Sequence, residues 1–223
     1  MLVFQPLSLA AFIIVVAEAF LLGSIPWGVV ISKLFLHDDV REHGSGNIGT
    51  TNMMRTYGKK MGVACFVLDF LKGIVACAIA LLLTGVFVGA GWIDSAFAQS
   101  RTLLAFSGFA CIYGHIFSPW LHFKGGKGIA CGVAVVLMIY GPAYAALELA
   151  VFIVLVAITK YVSVGSIAAA VLFCFLAVYC YGETPVNAAF LILAGATVVW
   201  AHRANIARLR AGKENKIGSK KKA

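Results

Sequence analysis

Apolar runs close to the length of a bilayer's hydrocarbon core recur along the whole chain, from Leu7 to Ala201, with short polar connections between them. A core about 30 Å thick offers the backbone no water, so every N–H and C=O of a crossing segment must be satisfied internally. Helices are therefore expected and a barrel is not. With 61% of 223 residues hydrophobic and only 12% charged, the chain lies outside the usual composition of a soluble domain. An all-α integral membrane protein follows, with residues 1–211 as one polytopic domain and residues 212–223 as a basic, disordered cytoplasmic tail.

The polar breaks divide the chain into about seven spans. The first covers residues 9–35 and is interrupted at Gly23-Ser24-Ile25-Pro26-Trp27-Gly28, where proline removes a backbone donor and kinks the helix. It lacks a basic leader and a small-residue cleavage site, so it is expected to stay as a span. The second, residues 61–83, carries Asp69 and Lys72 three apart on one face, a pair that must face protein or water rather than lipid. A third span over residues 102–120, a fourth ending at Tyr140-Gly141-Pro142, a fifth to Ile158, a sixth to Tyr181 and a seventh over residues 186–201 complete the set. With this count, every basic connection falls on one side together with the C-terminus. The net charge of +9 thus encodes orientation rather than nucleic-acid binding, and the N-terminus is expected outside.

Against this apolar background, residues 44–55 stand out: three glycines, three hydroxyls, two amides and a guanidinium. Gly44, Ser45, Gly46, Asn47, Gly49, Thr51 and Asn52 read as a loop whose backbone N–H groups can form an anion nest, with Arg55 adding a forked charged contact. The loop matches G-x-G-x-x-G, but the preceding residues 37–43 cannot be a buried strand, so a dinucleotide fold is excluded. A second basic glycine segment, Lys124-Gly125-Gly126-Lys127-Gly128, places N–H groups and two ammonium groups at the start of the fourth span, where the helix dipole also favours an anion. Lysines beside a membrane also bind lipid headgroups, but the double glycine speaks for a cradle.

Two further pairs sit on the same predicted face. Ser163 and Ser166 share a helical face at the start of the sixth span, where an N-cap with small-residue packing is an equal reading. His202 and Asn205 share a face after the seventh, where the alternative is a surface histidine beside an amphipathic tail. Glu18 and Glu148 lie within spans and are not placed in the site. His37 and Glu42 read as solvated loop residues. The six cysteines sit in apolar segments with no C-x-x-C pair and no histidine at ligand spacing, so no metal site is expected.

Taken in order, Gly23-Ser24-Ile25-Pro26, Gly44-Ser45-Gly46-Asn47-Ile48-Gly49 with Thr51-Asn52 and Arg55, Asp69 with Lys72-Gly73, His115 before Phe123-Lys124-Gly125-Gly126-Lys127-Gly128, Tyr161-Val162-Ser163, and His202-Arg203 with Asn205 resemble the bacterial acyl-phosphate:glycerol-3-phosphate acyltransferases. Cys131 stands where that family's third motif position after the GGKG run carries threonine. The resemblance covers nearly the whole chain. It implies a seven-helix bacterial inner-membrane enzyme with its active site at the cytoplasmic face, using acyl phosphate and glycerol 3-phosphate as substrates, membrane lipid as surroundings, and neither cofactor nor metal. It also implies that Ser45, Arg55, Lys127, Ser163, Ser166, His202 and Asn205 line the polar pocket. The residues alone agree that two phosphate-bearing substrates need two anion cradles. A membrane transporter of an organic phosphate is the competing class, but it calls for polar residues through the bilayer midplane and for inverted repeats, and neither is seen. For the transfer itself, substrate assistance is expected, with the donor phosphate taking the proton and His202 orienting the acceptor.

Overall fold

The structure, a computed structural model, describes residues 6–217, with side chains from Ser8 onward. Eleven α-helices are found among the described residues: α1 Pro6–Ser24, α2 Trp27–Leu36, α3 Thr50–Tyr57, α4 Lys59–Gly89, α5 Ser95–Gln99, α6 Thr102–Ile116, α7 Ile129–Ile139, α8 Pro142–Thr159, α9 Val162–Tyr181, α10 Pro185–Ala201 and α11 Arg203–Arg210. The described residues form two compact units, one up to Ile139 and one from Tyr140 onward.

In the first unit the expected break at Pro26 separates α1 from α2, which diverge by 41°. Both α1 and α4 pack on α6, and α4 also packs on α7. Glycine allows the closest crossings. A Cβ on Gly114 would stand 2.2 Å from the Phe20 carbonyl oxygen, and one on Gly23 would stand 2.2 Å from that of Cys111. At 31 residues, α4 is longer than any membrane core requires, about 46 Å of helix. By contrast, the span expected to end at Tyr140 is realised as α7, an eleven-residue helix about 16 Å long.

In the second unit α9 packs against both α8 and α10. Lys160, in the left-handed conformation at φ 63°, ends α8 and turns the chain into α9. Among the described residues four helices are each long and apolar enough to cross a membrane, or up to six if each bent pair, α1 with α2 and α10 with α11, is one crossing. Of the tail read as disordered, residues 212–217 carry defined contacts, among them Ile217 N–H donating to the Lys160 carbonyl at 2.8 Å. The remainder of the tail lies outside the described residues.

Candidate active site

The first unit holds two glycine segments, each leading into a helix. In residues 44–49, Gly44 and Gly46 take left-handed φ of 60° and 68°. The chain curls around Asn52, which is buried at 2% exposure on the first turn of α3. Its side-chain oxygen accepts from Ser45 N–H at 2.9 Å, while its nitrogen donates to the carbonyls of Val40 at 3.1 Å and His43 at 3.0 Å. Asn47 accepts from Gly49 N–H at 3.0 Å, and Gly46 N–H donates to His43.

The expected nest is therefore differently built. The N–H groups of Ser45, Gly46 and Gly49 serve the loop itself, and Asn47 and Asn52 brace it from within instead of facing an anion. What this bracing presents outward is the exposed Ser45 side chain, the exposed Thr51 on the first turn of α3 and the exposed Arg55 in its last turn. Beneath the loop, Ile48 and Val40 join Val29, Ile31, Met53 and Cys65 in an apolar cluster. Asp38 accepts from the Tyr57 hydroxyl at 2.9 Å and pairs with His43. The His43 hydrogen bond first, then that of Tyr57, lowers the Asp38 pKa.

The second segment is held by α6. Gly125 and Gly126 donate their N–H groups to the carbonyls of Ile116 and His115 at 2.9 and 3.0 Å. A Cβ on Gly125 would lie 2.0 Å from the His115 carbonyl oxygen, and one on Gly126 would lie 2.1 Å from the His115 ring. The double glycine is thus required by close packing on α6, and its N–H groups do not cradle an anion. Lys127, half-buried, and Gly128, at φ 82°, follow directly and open α7. Lys124 is exposed.

In the second unit Ser163, Ser166, His202 and Asn205 are all buried, at 2–6% exposure. His202 Nδ1 lies 2.8 Å from the Val198 carbonyl, which can only accept, so Nδ1 carries the proton and Nε2 of the neutral ring is an acceptor. Sequence reasoning missed Glu214. It accepts from Asn205 at 2.6 Å and from Arg208 at 2.7 Å, folding the start of the tail back onto α11. Burial raises its pKa, but hydrogen bonds from Asn205 and Arg208 outweigh that and hold it below its usual value. A lone acid in a lysine-rich stretch, nine residues after Asn205, was the available signal.

A family model described as glycerol-3-phosphate acyltransferase matches residues 13–212. Curated relatives of that description include one from Trichlorobacter lovleyi, 40% identical over 91% of this chain and 95% of its own. Another, from Aquifex aeolicus, is 39% identical over 89% and 95%. Among solved structures, the glycerol 3-phosphate form of PlsY (YgiH), an integral membrane glycerol 3-phosphate acyltransferase, superposes with a TM-score of 0.78 at 39% identity, covering 93% of this chain and 96% of that one. The lysophosphatidic acid form of the same protein superposes at 0.75.

Proposed function

Since this chain belongs to the glycerol-3-phosphate acyltransferase family, we propose that it moves a fatty acyl group from acyl phosphate to the 1-hydroxyl of glycerol 3-phosphate. The products are lysophosphatidic acid and inorganic phosphate, and the setting is the cytoplasmic face of a bacterial inner membrane, with the C-terminus on that side. The observation that carries this reading is the pair of braced glycine segments in the first unit. Each leads into a helix beside which a cation stands, Arg55 in the last turn of α3 and Lys127 two residues before α7, and a reaction between two phosphate-bearing substrates needs two such cations.

The glycerol hydroxyl oxygen attacks the acyl carbonyl carbon. The carbon–oxygen bond to phosphate breaks, and the leaving phosphate keeps the electron pair and takes the hydroxyl proton, since its second pKa lies near neutrality. Arg55 and Lys127 hold phosphate oxygens and offset the charge that builds on them. Ser45, Ser163, Ser166 and Asn205 orient the reactants. His202, its ring held at Nδ1 by the Val198 carbonyl, aligns the acceptor substrate by a hydrogen bond.

The test is phosphate release by the purified protein. Release from acyl phosphate that requires glycerol 3-phosphate, with lysophosphatidic acid formed in equal amount, is expected. Release without the acceptor, or no release while acyl-CoA supports product formation, overturns the proposed donor and mechanism.

A further inference from the structure

Behind the second glycine segment lies a charged group that the transfer chemistry does not use. Asp69 and Lys72 of α4 and His115 of α6 are buried at 2, 5 and 4% exposure. Lys72 Nζ lies 2.8 Å from Asp69 Oδ1, 2.8 Å from the Ile25 carbonyl oxygen and 2.9 Å from His115 Nδ1. The ammonium hydrogen-bonds to the Ile25 carbonyl oxygen and to His115 Nδ1, and Asp69 pairs with its charge. Nδ1 must then accept, which puts the imidazole proton on Nε2 and fixes the ring's orientation. The Ile25 carbonyl is offered by the break before Pro26, so the same ammonium ties α1 and α2 to α4 and α6.

His115 is also the surface on which the loop rests. Its carbonyl accepts from Gly126 N–H at 3.0 Å, and its ring edge lies so close to Gly126 that a Cβ there would be 2.1 Å from Nε2. Lys127 is the next residue. The far end of the loop is held separately, by Ser118 Oγ donating to the Ser24 carbonyl at 2.7 Å and Trp120 Nε1 donating to Ser24 Oγ at 2.8 Å. A change of the His115 side chain leaves the main-chain bonds of Gly125 and Gly126 in place and removes the ring contact beside Gly126, next to Lys127.

We infer that His115, locked by Lys72 and Asp69, is a positioning residue that sets where Lys127 meets substrate phosphate. This rests on the phosphate-binding reading of Lys127 given above. Replacing a partner in a buried ionic group also affects stability, so the measurement must separate the two effects. A double-mutant cycle does so. With purified protein, His115→Leu is expected to lower kcat/KM for glycerol 3-phosphate or acyl phosphate by about tenfold or more in the native background. In a Lys127→Ala background the same change is expected to cost less than about twofold, because the cation being positioned is gone. His115→Asn, whose Oδ1 can accept from Lys72 in place of Nδ1 but which has no ring edge to reach Gly126, is expected to spare stability and to recover little of the loss. If His115→Leu does not reach the membrane folded, Lys72→Met combined with Asp69→Asn, which leaves no unpaired charge, carries the same cycle. An equal fold-loss in both backgrounds overturns the positioning role and leaves the function of Lys127 intact. Native kinetics for Lys127→Ala alone overturns the reading of Lys127 and the inference with it.

Discussion

The two glycine segments look alike in sequence and are supported in opposite ways. Residues 44–49 are braced by their neighbours: Asn47 caps Gly49 two residues on, and Asn52 reaches back to Ser45 and His43. Residues 124–128 are braced by a different helix, through the carbonyls of Ile116 and His115 and the buried ammonium of Lys72 behind them. Gly46 in the first loop needs glycine for its left-handed dihedral angle, and Gly125 and Gly126 in the second need it because backbone and an imidazole fill the space a side chain would take. The same residue type thus answers a local conformational demand in one place and a tertiary packing demand in the other.

That contrast breaks most visibly at Gly125. An added methyl meets main chain at 2.0 Å that cannot rotate away, so Gly125→Ala is expected to displace the loop by about an ångström and lower kcat/KM by roughly a hundredfold. Kinetics of purified protein check this, and a loss under about fivefold shows that the loop does not depend on packing against α6.

Next come the cations. Arg55→Ala and Lys127→Ala are each expected to cost at least about tenfold in kcat/KM, in line with the roughly 1.5–3 kcal/mol of a charge-assisted phosphate contact, with insertion and folding retained. Near-native kinetics for both reduce them to anchors at the membrane surface.

Gly46 sharpens the comparison. A Cβ there meets only the Arg41 carbonyl oxygen, at 3.2 Å, so the main cost of Gly46→Ala is the left-handed φ, about 1–2 kcal/mol. A fall in activity of severalfold, well short of that for Gly125→Ala, is expected. If the two variants are equally impaired, the distinction between dihedral and packing demand fails.

The smallest effect belongs to the acid that steadies the first loop. The folded pKa of Asp38 is depressed by hydrogen bonds from His43 and Tyr57, so its contribution is present above the unfolded value of about 3.9 and is lost as pH falls through the lower folded value. Because the group is open to solvent, Asp38→Asn is expected to move the thermal midpoint by no more than about a degree near neutrality and to flatten its decline below about pH 4. An unchanged acid decline shows that the hydrogen bonds contribute nothing measurable.

Much of this architecture was legible because it depends on runs and local spacing. Apolar lengths marked the helices, Gly23 to Pro26 marked the break, and the three-residue spacing of Asp69 and Lys72 placed them on one buried face. Asn52 stood out by composition, but its inward direction did not, since an amide in a polar loop suits a ligand as well as a carbonyl. The role of the double glycine was hidden because its partners lie about ten residues upstream on another helix, and a letter code does not show which carbonyls a chain returns to. The shortness of α7 was hidden for a related reason: Gly128 and Gly141 bracket an apolar run, and only the packing of the loop before it sets where helix begins. Glu214 lay in a tail whose lysines suggested solvent, although a single carboxylate among them met Asn205 and Arg208.

The covering of α7 has one more consequence. None of its residues is exposed, and Lys127 at its head is half-buried whereas Lys124, three residues earlier, is exposed. Mobile ions screen a charge open to water over about 8–10 Å at ordinary ionic strength, and screen a partly buried one much less. Raising the salt concentration is therefore expected to weaken whatever pull Lys124 exerts on an arriving anion while leaving largely intact the contact proposed above between Lys127 and a seated phosphate. The enzyme's rate of substrate capture and its hold on bound substrate then respond differently to the ionic strength of the surrounding solution.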